Sequence, residues 1–129
     1  MQKSNKQNVF KTQIASFKYA LEGLVLLFGK ERNAKIHLIA AALVVAFGFL
    51  LEISMLEWCM VILCISLVTA LEGLNTALEH LSNTVTKEYH PNIKKVKDIA
   101  AGAVFIAALG ALAVGLIIFL PKLISTLLH

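Results

Sequence analysis

The sequence predicts an all-α integral membrane protein, with a basic amphipathic N-terminal surface helix followed by three transmembrane helices. Three observations predict it. Hydrophobic residues make up 58% of the 129 and charged residues only 16%, whereas soluble domains are about half apolar and about a quarter charged. A globule of 14.1 kDa has too small an interior for that excess, so lipid must take it. The apolar residues are gathered into three long runs, and the basic residues collect beside alternate ends of those runs. One domain over residues 1–129 accounts for the whole chain.

Residues 1–7 are polar and are expected to be disordered. A surface helix is expected over 8–30, because Phe10, Ile14, Phe17, Leu21, Leu24 and Phe28 recur at steps of four and three, with Lys11, Lys18 and Glu22 on the remaining surface. A basic stripe of this kind before an apolar span reads as a helix lying in the membrane interface. The first twenty residues lack a continuous apolar run and a small-residue cleavage site, so no cleavable signal is expected.

Transmembrane helices are expected over 36–51, 55–82 and 99–120. The third carries no charge across its 22 residues, enough for a hydrocarbon core that takes about 20 helical residues. The first is short at 16 residues, apolar except for His37, and needs tilt or extension from its flanks. The second is continuously apolar only as far as Leu71. Small residues crowd the third, among them Gly102, Ala107, Gly110 and Gly115, and such faces let helices approach closely in lipid.

Charge sets the expected orientation. The connection around Glu52 and Glu57 has no Lys or Arg, while Thr86–Lys97 carries Lys87, Lys94, Lys95 and Lys97. The positive-inside rule places the N-terminus and the lysine-rich connection in the cytoplasm, with Trp58 at the outer interface. The net charge of +4 does not point to nucleic acid, because the basic residues flank apolar spans without interleaved aromatics. Cys59 and Cys64 stand four residues apart in an apolar run and match no zinc, haem or redox motif.

The chemistry is concentrated in E-G-L-N-T-A-L-E, residues 72–79. On a helix, Glu72, Asn75 and Glu79 fall on one face within about 60°. Carboxylates at membrane depth are costly and normally face a protein interior or a wet cavity. Glu31, ahead of the first span, and Lys97 and Asp98, ahead of the third, converge on the same level. Carboxylates here could hold a hard cation, and Mg²⁺ takes one or two of them, with substrate phosphates and water completing its shell. Phosphoryl transfer would use such a site, with a carboxylate such as Glu72 meeting a lipid hydroxyl and lysines neutralising nucleotide phosphates. Neither a P-loop nor a protein-kinase glycine loop occurs. A cation channel or transporter lined by Glu72, Asn75 and Glu79 is the alternative from another class. Against it, Cys59 to Leu71 is apolar apart from Ser66 and Thr69.

F-K-Y-A-x-x-G-L at 17–24, E-R-N-A-K-I-H from Glu31, E-G-L-N-T-A-L-E, E-Y-H at 88–90 and K-D-x-A-A-G-A-V at 97–104 together resemble the prokaryotic diacylglycerol kinase family, small trimeric membrane kinases that include undecaprenol kinases. The likeness covers about residues 12–120. It implies a homotrimeric bundle in the bacterial inner membrane that phosphorylates a membrane lipid with ATP and Mg²⁺. By resemblance Glu72 is the base and Asn75 lies close to the reacting groups, while Glu31 and Glu79 bind the metal and lie at the ATP. Tyr19, Glu88, Tyr89, His90, Lys97 and Asp98 match ATP-contacting positions. Asn33, Ala34, Lys35, Ile36 and His37 match the approach of the lipid head. Thr12 stands where some members carry a basic residue, with Lys11 adjacent. The segment E-R-N-A-K-I-H looks more like the undecaprenol kinase branch, so undecaprenol is the expected substrate, with diacylglycerol the alternative.

Overall fold

The computed structural model describes the backbone of residues 2–128 and the side chains of residues 12–128. It is all-helical: α1 (Gln2–Lys30), α2 (Arg32–Leu50), α3 (Met55–Val85) and α4 (Pro91–Leu127). The last three are each long and apolar enough to cross a membrane. At 1.5 Å per residue, α3 is about 46 Å long and α4 about 55 Å. Both exceed a hydrocarbon core of about 30 Å and must project beyond it. Most of the large apolar side chains of these helices are exposed, which a soluble monomer does not tolerate over such an area.

The helix bounds differ from the expected ones on every helix, α3 running three residues past the expected end to Val85. α1 begins at Gln2, so residues 2–7, expected to be disordered, are helical; no Gly or Pro interrupts them. α4 begins at Pro91, eight residues before the expected start, and runs through Pro121 to Leu127. The lysine-rich stretch expected as a connection is therefore largely the first two turns of α4. α2 gains a turn at its N-terminus, which relieves the shortness of the expected span. Of the expected α1 stripe, Ile14, Phe17, Leu21 and Leu24 are exposed and Phe28 is half-buried, whereas Leu27 is the buried residue. Phe10 and Lys11 lie outside the described side chains.

α3 and α4 form the longest interface and run antiparallel. Lys97 meets Asn83 at one end and Lys122 meets Glu57 at the other. α2 packs antiparallel on α3, and α1 rests on α2 and α3.

The α2–α3 corner explains its own sequence. Glu52 takes φ +47, with the Ile53 N–H donating to the Gly48 carbonyl at 3.1 Å and the Glu52 N–H to the Phe49 carbonyl at 3.4 Å. This is a Schellman closure with a glutamate in the left-handed position usually held by glycine. A Cβ on Gly48 would lie 2.7 Å from the Trp58 ring, so only glycine lets that ring sit there. Ser54 then caps α3 reciprocally with Glu57, satisfying two helix-end donors. Below the corner, Ile53, Val61 and Ile118 form the apolar core, with Val44, Ile65 and Phe119 against it.

Candidate active site

At the opposite end of α3 the buried side chains change character. Among the described residues the buried polar side chains are Glu72 at 3% exposure, Asn75 at 6% and Ser82 at 4%. All three lie on α3, on the face predicted from helical spacing. Val68, one turn before Glu72, is also buried. A buried carboxylate needs a compensating partner, and Glu72 has one in α2: His37 Nε2 lies 3.8 Å from Glu72 Oε2. The Asn75 side-chain oxygen is buried without a hydrogen-bond partner, an acceptor open to a donor.

Glu31 is placed by a break in the chain. It has extended backbone (φ −86, ψ 121) between α1 and α2 and makes no side-chain cap. Its N–H closes α1 on the Leu27 carbonyl and its own carbonyl accepts the Lys35 N–H to open α2. The carboxylate is therefore free to face α3, where Glu31 Oε1 lies 3.5 Å from His80 Nε2. Leu27 packs on Gly73, which brings this junction over the E-G-L-N motif. Glu31 and Glu79 both lie within electrostatic reach of Glu72. Glu79 itself is exposed.

Two hollows meet this cluster. One, of about 480 Å³, lies between α1 and α3 and is lined by residues including Lys30, Glu31, Thr76 and His80. The other is an apolar groove of about 430 Å³ along α2, α3 and α4, running from His37 past Val44, Val68 and Ala111 to Leu123. His37 stands at the head of this groove beside Glu72.

The remaining predicted residues are nearby in sequence but more loosely placed. Lys97 donates to Asn83 Oδ1 at 2.7 Å, which ties α4 to α3 one turn beyond Glu79. Asp98 pairs with Lys94 on its own helix. His90 caps α4, its Nδ1 accepting the Asn92 N–H at 3.3 Å, with Pro91 in the favoured first position. Tyr19, Glu88 and Tyr89 are exposed, and no described hydrogen bond or ion pair joins them or Asp98 to the three glutamates. In the 33–37 segment, Ala34 is 1% exposed and offers packing rather than contact with a lipid. Asn33, Lys35 and Ile36 are exposed, and His37 is half-buried.

Sequence reasoning missed Ser82, His80 and Asn83. Continuing the three-four spacing of Glu72, Asn75 and Glu79 by three residues reaches Ser82, so that signal was present. His80 and Asn83 matter through partners on other elements, and local spacing carries no trace of those.

Comparison with known proteins decides the family. A sequence profile described as "Prokaryotic diacylglycerol kinase" matches residues 18–119. The chain belongs to the prokaryotic diacylglycerol kinase family. It is accordingly a membrane-spanning lipid kinase. The chain is 41% identical over 123 residues to an undecaprenol kinase of Bacillus subtilis, covering 95% of this chain and 100% of that one. A diacylglycerol kinase of Synechocystis is 38% identical over 124 residues, covering 95% and 71%. A diacylglycerol kinase of Haemophilus influenzae is 33% identical over 94 residues, covering 73% and 80%. The channel reading loses its ground: among the described residues the buried polar side chains all sit at one end, and the other end is closed by apolar packing.

Proposed function

We propose that this protein transfers the γ-phosphoryl group of Mg-ATP to the hydroxyl of a membrane lipid at the cytoplasmic face of the bacterial inner membrane, with undecaprenol favoured over diacylglycerol. The observation that carries the reading is Glu72, a buried carboxylate 3.8 Å from His37, which itself stands at the head of an apolar groove. A base in that place can take the proton from a hydroxyl whose tail stays in apolar surroundings. The freed oxygen attacks the γ-phosphorus, the bond to the bridging oxygen breaks, and ADP leaves.

Glu31 and Glu79 would hold magnesium. Their donor set fits: carboxylate oxygens suit a hard cation, and the ion ordinarily draws only one or two of them from the protein. Among the described residues no three acidic, His or Cys side chains gather as a self-sufficient metal cage, which agrees with a shell completed by phosphate oxygens and water. Bound magnesium would neutralise charge on the phosphates during transfer. Tyr19, Glu88, Tyr89, His90, Lys97 and Asp98 would contact ATP, and Asn33, Lys35, Ile36 and His37 would meet the lipid head. α1 would lie in the interface and help cover the site. Assembly as a homotrimer is supported by α4, where a Cβ on Gly102, Gly110 or Gly115 would meet nothing in this chain, since small residues let another helix approach closely in lipid.

The full-length match to an undecaprenol kinase supports undecaprenol. A diacylglycerol kinase that makes phosphatidic acid is the second reading, supported by the Synechocystis relative. Purified protein in mixed micelles, given labelled Mg-ATP and each lipid in parallel, separates them. Faster labelling of undecaprenol is expected, and exclusive labelling of diacylglycerol would reverse the substrate assignment. Glu79→Gln should shift the magnesium titration to higher concentration, and an unchanged titration would remove Glu79 from the metal site.

A further inference from the structure

We infer that His37, at the head of the groove, is a positioning residue for Glu72 beside it, holding the carboxylate in the orientation that receives the substrate hydroxyl. The inference rests on Glu72 being the base. Its first support is donor poverty. Among the described residues, His37 is the one Lys, Arg or His side chain within 4.0 Å of the Glu72 carboxylate, and no described hydrogen bond reaches that carboxylate from elsewhere. The other polar groups on this side are the Asn75 amide, whose oxygen has no hydrogen-bond partner, and, farther off, the carboxylates of Glu31 and Glu79. Without His37 the carboxylate would keep no ion-pairing partner among the described residues.

The second support is location. A histidine in an otherwise apolar span is expensive in lipid and is kept where it has a polar task. His37 is half-buried, turned to α3 and not outward, and it borders both the groove and Glu72. A separation of 3.8 Å exceeds a direct hydrogen bond yet keeps strong charge–dipole attraction in surroundings of low dielectric. The imidazole thereby biases the carboxylate rotamer. α4 adds no ion-pairing cation at this level: among the described residues, its paired lysines are Lys94 and Lys122, whose partners are Asp98 and Glu57.

The test compares His37→Leu and His37→Gln in the micellar kinase assay, each alone and combined with Glu72→Gln. Misplacing a catalytic group by about 1 Å can cost around 100-fold. His37→Leu should therefore lower kcat by about 10- to 100-fold with the KM for Mg-ATP unchanged. His37→Gln, whose amide N–H reaches a similar point, should recover most of that loss. In the Glu72→Gln background, His37→Leu should cost nothing further, since residues that act through one another are not additive. A His37→Leu enzyme with wild-type kcat, or an equal loss in the Glu72→Gln background, would overturn the inference. If His37→Leu does not fold, His37→Ala with added imidazole replaces it: restored turnover supports the role, and no restoration in a folded variant refutes it. Wild-type turnover in Glu72→Gln alone would instead overturn the assignment of the base.

Discussion

The two ends of the bundle are built to opposite rules. At the corner end, every polar group named has a partner: Ser54 and Glu57 cap each other, Glu57 also meets Lys122 at 3.3 Å, and Trp58 packs on Phe49 with ring centroids 4.8 Å apart. At the other end, the Glu72 carboxylate has only an imidazole at 3.8 Å and the buried Asn75 oxygen has no hydrogen-bond partner. A fully satisfied end specifies the fold, whereas an unsatisfied end stores unfavourable energy that a substrate can relieve. The difference teaches where stability and chemistry reside in a chain with very little interior.

Substitutions should therefore have opposite signs at the two ends. The largest expected effect is Glu72→Gln, which should lower turnover by about 10²- to 10⁴-fold, the range for loss of a general base. It should leave nucleotide binding and the thermal unfolding temperature in detergent intact or raised; a fall in either would make Glu72 a structural group. Asn75→Leu should also inactivate while stabilising the fold by about 1–3 kcal/mol, because it removes a buried acceptor without a donor. Destabilisation in denaturant unfolding would show that Asn75 has a partner within the protein. Gly48→Ala reverses the pattern. Crowding the Trp58 ring should cost about 1–3 kcal/mol, with turnover per folded molecule unchanged, and a neutral unfolding midpoint would show that the corner can yield. The smallest effect is Glu52→Gly, expected to stabilise by about 1 kcal/mol through relief of the left-handed backbone, again without touching turnover.

Much of this contrast was legible in the sequence, for a specific reason. A carboxylate in an apolar run is too costly to be incidental, so Glu72 and Glu79 announce themselves, and helical geometry alone puts Asn75 between them. The three spans follow from the same exclusion of charge. The corner end was hardly legible, because in the sequence its glutamates serve only as a sign of membrane orientation. Nothing local says that Glu57 both caps α3 and reaches Lys122 some sixty residues on. The start of α4 was misjudged from its lysines, although H-P-N at 90–92 spells a cap followed by a first-turn proline. The His37–Glu72 pairing joins two helices, and one sequence carries no register between helices. The exposure of the α1 stripe, with Leu27 turned inward, likewise depends on where α1 crosses Gly73.

Glu31 is the one residue outside a helix between Gln2 and Leu50. Its single pair of backbone torsions therefore fixes two things at once, the pitch of α1 and the position of a carboxylate. With α1 lying in the interface, as proposed, it acts as a lever with Glu31 at its fulcrum. A tilt of α1 on α2 cannot then occur without carrying the Glu31 carboxylate with it, away from His80 or toward it.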